Sequence, residues 1–131
     1  MRVRPVSFSG QSPNPTVIDP SRPGVTLINV FRVAPDRCDE LLGVLVAATR
    51  DVMRGVPGFV SANFHRALDG TRVTNYAQWA SRGAFEAMLR DPAAREHMGR
   101  AAAIAESFDA NLYEVACCEG ASGEGASGEG A

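Results

Sequence analysis

Hydrophobic and polar residues alternate most regularly in two runs near the middle of the chain, Phe59–Arg66 and Arg72–Trp79. Between them lie Asp69 and Gly70, a pair that readily takes the positive φ angles of a tight hairpin turn. The pattern therefore predicts a β-hairpin with Asp69 and Gly70 in its turn.

The side chains of such a hairpin follow from its register. Side chains of a strand point alternately to its two faces, so Asn75 and Trp79 are predicted to share one face of the second strand. With a two-residue loop, Phe64 faces Asn75 and Val60 faces Trp79. This register predicts one polar amide within an otherwise apolar and aromatic surface.

The rest of the chain shows strand and helix patterns in turn. A β-branched run at 25–33 predicts a first strand, in which Asn29 is the odd member of an apolar face. Apolar residues at helical spacing and capping residues predict three helices, at 35–55, 82–89 and 92–105. Alternation returns at 108–118, which predicts a last strand. The order is strand, helix, strand, strand, helix pair, strand.

This order of elements is the split βαβ, or ferredoxin-like, pattern. It predicts an α+β fold with an antiparallel sheet and with helices on one face only. The other face would carry a partly apolar set of side chains, namely Ile28, Val30, Phe59, Ser61, Tyr76 and Gln78. Exposed surfaces of this kind are typical of interfaces, so we expect the sheets of two subunits to pack together in a homodimer.

The two ends of the 131-residue chain differ in composition from its centre. Residues 1–23 hold five prolines among polar residues and predict a flexible arm, while Gly, Ser and Glu recur in 119–131 and predict a disordered tail. One domain at 24–118 remains. The net charge of -2 disfavours nucleic acid as a partner. Without an apolar membrane-length run or a signal peptide pattern, we expect a cytoplasmic protein with no membrane partner.

Sequence motifs for the common redox cofactors are missing. The chain has no G-x-G-x-x-G fingerprint and no C-x-x-C pair, and its two histidines, His65 and His97, form no metal-ligand cluster with recognisable spacing. We therefore expect neither a cofactor nor a metal.

Several residues are candidates for binding or chemistry. A buried Asn75 must find a partner, either on the backbone or on a ligand. Trp79 can be a core residue or the wall of a cavity. His97, on the predicted inner stripe of the third helix, is a candidate general base or an ordinary helix histidine. Arg95 and Arg100 are candidate partners for an anion.

The strings VPGFVSANFHRALDGT and VTNYAQWAS resemble the antibiotic biosynthesis monooxygenase family, in particular the cofactor-independent anthrone oxygenases of bacterial aromatic polyketide pathways. The resemblance runs over about 25–116 and implies a homodimeric α+β barrel with a substrate cavity between sheet and helices. An Asn and a Trp that line this cavity in relatives match Asn75 and Trp79. A Tyr and a Trp of the polyketide oxygenases match Phe85 and about Val52, whose side chains cannot donate a hydrogen bond.

The resemblance and the missing cofactor motifs together predict a cofactor-independent monooxygenase. It would oxidise an anthrone- or quinol-type polycyclic aromatic to a quinone with O2. The predicted catalytic residues are Asn75, Trp79 and His97. The predicted substrate-binding residues are Asn29, Phe31, Phe64, Phe85, Met88 and Arg95.

Two other interpretations stay open. One is a haem-binding or haem-degrading monooxygenase, because Asn29, Trp79 and His97 also resemble the placement of an Asn, a Trp and a His in that branch of the family. The other is a non-catalytic module that binds a small molecule or another protein.

Overall fold

The computed structural model describes residues 15–122 as a four-stranded antiparallel sheet with three α-helices. The strands are β1 (Val25–Arg32), β2 (Phe59–Arg66), β3 (Arg72–Trp79) and β4 (Ser107–Tyr113). The helices are α1 (Cys38–Asp51), α2 (Arg82–Met88) and α3 (Pro92–Ile104), and short 3-10 turns at Pro35–Arg37 and Met53–Gly55 flank α1. The strand order β2-β3-β1-β4 confirms the α+β, ferredoxin-like fold.

Two side-chain caps fix the path of the chain after the hairpin. The hydroxyl of Ser81 accepts a hydrogen bond from the Ala84 N–H (3.0 Å), which starts α2. The carboxylate of Asp91 accepts hydrogen bonds from the N–H groups of Ala93 (2.9 Å) and Ala94 (3.3 Å), which starts α3. These caps fix the residues at which α2 and α3 begin.

Strand β4 is shorter than the predicted run at 108–118. It ends at Tyr113, which pairs with Thr26 of β1. One residue further, β1 itself begins at Val25, just after Gly24 with a φ of 130°. The chain beyond Tyr113 therefore has almost no length of β1 left to pair with, and the sequence alternation there does not form a strand.

The hairpin keeps its predicted central register, in which Phe64 pairs with Asn75. The loop is longer than the two residues Asp69 and Gly70. Of Asp69 and Gly70, only Gly70 has a positive φ, of 75°, and its N–H donates to the Ala67 carbonyl (2.9 Å), so the turn spans 67–70. The carboxylate of Asp69 accepts hydrogen bonds from the backbone N–H (3.0 Å) and hydroxyl (2.6 Å) of Thr71, which holds this wider turn.

A β-bulge changes the register at the start of β2. It lies between Phe59 and Ser61, and it pairs Phe59 with Trp79 while Val60 is left 44% exposed. The prediction that Val60 faces Trp79 is therefore wrong, and so is the placement of Phe59 on the open face of the sheet. The ring of Phe59 instead meets that of Trp79 edge-on, with centroids 5.5 Å apart.

The buried core falls into two clusters. One consists of Phe31, Val33, Cys38, Leu41, Leu42, Val73 and Ala101, and the other of Leu27, Ala77, Trp79, Met88 and Ala94. Asn29 and Asn75 pair directly across β1 and β3, between the strand residues of the first cluster and those of the second. The two amides thus mark a polar division of the core.

The second face of the sheet contacts part of the predicted arm. The hydroxyl of Thr16 donates to Oδ1 of Asn63 (2.6 Å), and Nε2 of Gln78 donates to the Val17 carbonyl (2.9 Å). The remainder of the arm at 1–14, and residues 123–131 of the predicted tail, lie outside the described residues. Among residues 15–122, no helix is both long enough and apolar enough to cross a membrane.

Candidate active site

A cavity of about 340 Å³ lies between the sheet and the helices α1 and α3. Strand residues from both core clusters form its floor, and its roof includes Leu45, Ala48 and Thr49 of α1 and His97, Met98 and Ala101 of α3. A volume of this size is at the lower end of the range for small-molecule sites. Within the described chain, the lining is apolar or neutral apart from the imidazole of His97, so the cavity suits a compact and largely apolar ligand.

The floor is ordered in rows by the pairing of the strands. The rows that cross it are Phe31–Phe108, Phe64–Asn75–Asn29, Ala62–Ala77–Leu27 and Phe59–Trp79. A polar row of amides is therefore separated from the aromatic row of Trp79 by a row with two alanines. Along the strands, a bound ligand would therefore meet amide groups first, then small methyl groups, and then aromatic rings.

Four buried polar atoms without a hydrogen-bond partner belong to residues that line this cavity. They are Oδ1 of Asn29, Oδ1 of Asn75, Nε1 of Trp79 and Nδ1 of His97. Leaving one buried polar group unpaired costs about 1–3 kcal/mol, so four such groups around one cavity mark it as a site for polar contacts with a ligand or water. An amide offers a carbonyl and an NH2 group, an indole only a donor, and an imidazole either a donor or an acceptor. Together these residues can hydrogen-bond an oxygen-bearing ligand and exchange a proton with it.

The ring of Trp79 is held firmly at one end of the cavity. Its side chain is 3% exposed, and the rings of Phe59 and Phe85 meet it edge-on at centroid distances of 5.5 and 6.0 Å. Behind it, a Cβ added to Gly24 would come within 2.5 Å of the Trp79 carbonyl oxygen, so only glycine fits there. Trp79 therefore forms a rigid wall with one free donor.

The structure brings most of the predicted site residues together, but not all. Those that line the cavity are Asn29, Phe31, Phe64, Asn75, Trp79, Met88 and His97. Phe85 does not line it and instead supports Trp79 from behind. Arg95 is exposed and lies outside it, because two residues along an α-helix from His97 turn the side chain about 200° around the axis. Val52 packs against the core cluster that contains Trp79.

Other lining residues were not identified from the sequence. Ala62 and Ala77 share the strand face of Asn75, so strand parity could have found them. Met53 and Met98 also line the cavity. Met98 lies on the predicted inner stripe of α3, but helical spacing does not distinguish a cavity wall from a packed core. Within residues 15–122, no group of three or more His, Cys, Asp or Glu side chains is placed to hold a metal ion.

The fold and this cavity define a small α+β protein with a site for a compact, largely apolar ligand. The chain belongs to the antibiotic biosynthesis monooxygenase family, whose sequence profile matches residues 24–100. This confirms the family, and with it the class of enzyme, that the sequence motifs indicate.

Individual relatives agree with this assignment. Tetracenomycin-F1 monooxygenase of Streptomyces glaucescens is 51% identical over 80 residues, which cover 61% of this chain and 71% of the relative. The structure of the monooxygenase ActVA-Orf6 of Streptomyces coelicolor, solved in complex with nanaomycin D, is 29% identical with a TM-score of 0.70, over 77% of this chain and 94% of that one. SnoaB of Streptomyces nogalater, a cofactor-independent oxygenase, shares the fold at 24% identity and a TM-score of 0.64, over 72% and 95%.

Proposed function

We propose that the protein is a cofactor-independent monooxygenase that converts an anthrone- or quinol-type polycyclic aromatic into a quinone with O2. The observation that carries this proposal is the set of four unpaired polar atoms, on Asn29, Asn75, Trp79 and His97, around one apolar cavity. The name of the relative at 51% identity supports it, since that enzyme is a monooxygenase of tetracenomycin F1.

The neutral lining favours a neutral aromatic over a large anionic cofactor. Flavin nucleotides and haem carry phosphate or carboxylate groups, which proteins usually pair with Arg or Lys. No Arg or Lys lines the cavity in the described chain, and Arg95 lies outside it. A flat phenol or ketone needs only the hydrogen bonds that the amides, the indole and the imidazole can give.

The substrate itself can supply the electrons for the reaction with O2. Triplet dioxygen reacts slowly with closed-shell molecules, which is why most oxygenases use a cofactor. An anthrone that loses a proton from its methylene group becomes an electron-rich enolate. The enolate can pass one electron to O2 and then combine with the resulting superoxide to give a peroxide.

The residues of the cavity have distinct roles in the steps of this reaction. His97 accepts the methylene proton, and the NH2 groups of Asn75 and Asn29 donate hydrogen bonds to the oxygen that gains negative charge. Their unpaired Oδ1 atoms accept hydrogen bonds from hydroxyl groups of the substrate. The remaining hydrogen of the peroxide-bearing carbon then leaves as a proton, and the O–O bond breaks. One oxygen atom becomes the new carbonyl and the other leaves as water, so the CH2 group and O2 balance C=O and H2O.

The proposal is tested with protein freed of metals, flavin and haem. Anthrone and O2 are supplied, and oxygen uptake and quinone absorbance are followed together. We expect oxidation faster than in buffer and unaffected by a metal chelator. No acceleration, or acceleration that requires added flavin, haemin or metal, would contradict the proposal.

We also propose that the protein forms a homodimer through the open face of the sheet. On that face, Ile28 and Val30 of β1 are half-buried and Tyr113 of β4 is 47% exposed, so apolar side chains lie there beside the polar Asp109 and Asn111. Sedimentation equilibrium at micromolar concentration should give about twice the 13.9 kDa of one chain. A single species at the mass of one chain would contradict the dimer.

A further inference from the structure

Ala62 and Ala77 form the smallest part of the cavity floor. They pair directly across β2 and β3, and both line the cavity. Ala77 is 2% exposed, yet its neighbours on the same face of β3 are the larger Asn75 and Trp79. The two alanines therefore form a low step, which we call the alanine pair, between the amide row and the indole.

The geometry of a strand sets the length of this step. Same-face residues two apart are separated by about 6.6 Å, so the Cα atoms of Asn75 and Trp79 lie about 13 Å apart. Between Asn75 and Trp79, the side chains of the alanine pair extend only as far as their methyl groups. A flat ring system can lie against it, whereas longer side chains there would project into the cavity.

Both ends of this step carry unpaired hydrogen-bonding atoms. Oδ1 of Asn29 and of Asn75 is unpaired at one end, and Nε1 of Trp79 at the other. The indole N–H can only donate, so a ligand that satisfies it must present an acceptor such as a carbonyl or hydroxyl oxygen. The amide oxygens can only accept, so at that end the ligand must present a donor such as a hydroxyl group. A ligand that satisfies both ends therefore bears a hydroxyl group at one position and an acceptor oxygen at another, on one flat body.

We propose that Ala62 and Ala77 are specificity-determining residues: the alanine pair sets how large a fused ring system the cavity floor accepts between the amides and Trp79. This inference rests on the proposed function. The polycyclic body lies over Ala62 and Ala77, with one oxygen at the amides and another at Trp79. Bicyclic compounds can reach one of these ends but not both.

Binding of quinones that resemble the product tests the inference without any oxidation. Trp79 is the only tryptophan of the chain, so quenching of its fluorescence reports binding at the cavity. The probes are a tricyclic dihydroxyanthraquinone and a bicyclic hydroxynaphthoquinone. The variants are Ala77→Val and, because position 77 is fully buried, also Ala62→Val at a half-buried position. Ala110→Val is the matched control, since Ala110 pairs with Asn29 in the same sheet but is exposed and does not line the cavity.

The alanine pair is expected to affect only the larger probe. Added methyl groups overpack a site by an amount that corresponds to about ten- to a hundredfold weaker binding of the tricyclic quinone. Binding of the bicyclic quinone should change less than about threefold, and Ala110→Val should resemble the parent protein.

The outcomes separate this inference from the proposed function. Equal weakening of both probes, or no weakening of either, in variants that keep the parent's circular dichroism and melting temperature would overturn the role of the alanine pair while leaving the oxidation of anthrone unaffected. If the parent protein bound neither quinone and did not oxidise anthrone, both proposals would fail together.

Discussion

Replacing Asn75 with alanine should lower kcat for anthrone oxidation by about 10²–10³-fold, because one positioned donor to a developing oxyanion contributes this much. The amide matters most when negative charge builds up on the substrate oxygen, so KM should change little. Asn75 makes no hydrogen bond to protein through its Oδ1. Removal of this oxygen leaves no partner of its own unpaired, so we expect the variant to stay folded.

Steady-state kinetics and thermal unfolding of Asn75→Ala, measured side by side, check this prediction. Asn63→Ala is a suitable control on the neighbouring strand, because Asn63 lies on the opposite face and its NH2 group donates to the Tyr76 carbonyl (2.9 Å). The control should lose stability but keep kcat. A folded Asn75→Ala protein with the parent's kcat would show that the amide takes no part in the reaction.

Replacing His97 with glutamine should lower the rate at neutral pH by about 10²–10⁴-fold, the usual contribution of a general base. Glutamine keeps a polar side chain of similar size but cannot accept the substrate proton. As the pH rises, hydroxide or the ionised substrate replaces the missing base, so the rate of the variant should increase more steeply than that of the parent protein. Added imidazole should restore part of the activity.

The second histidine provides a matched control for the pH profile. His65 is exposed and does not line the cavity, and its Nδ1 lies 3.3 Å from the Asn63 carbonyl oxygen. His65→Gln should therefore leave both the rate and the pH profile unchanged. If His97→Gln also left both unchanged, the base would have to be another group or the solvent.

The order of the elements and the central register of the hairpin could be predicted from the sequence. Period-two alternation in β2 and β3 is strong, and side-chain parity correctly placed Asn75 opposite Phe64 and on one face with Trp79. These features depend on local patterns that a single sequence contains.

Two kinds of feature could not be predicted from local patterns: those that depend on one extra residue in a strand, and those that depend on whether an inward side chain meets the core or a cavity. The residues around Val60 alternate as in a regular strand, yet the bulge there exchanges Val60 for Phe59 opposite Trp79. Arg95 and His97 were both assigned to the site, although two residues along a helix point to nearly opposite sides. Helical spacing gives the inner face, but it cannot show whether that face meets side chains or a cavity.

The polar division of the core has a consequence for the empty enzyme. Asn29 and Asn75 lie between the two apolar clusters, where a purely structural protein would place aliphatic side chains. The unpaired amides lower the free energy of unfolding until a ligand satisfies them. Bound substrate then pairs with the amides and fills the space between the two clusters. At a concentration a hundred times its Kd, it would raise the free energy of unfolding by about 2.7 kcal/mol.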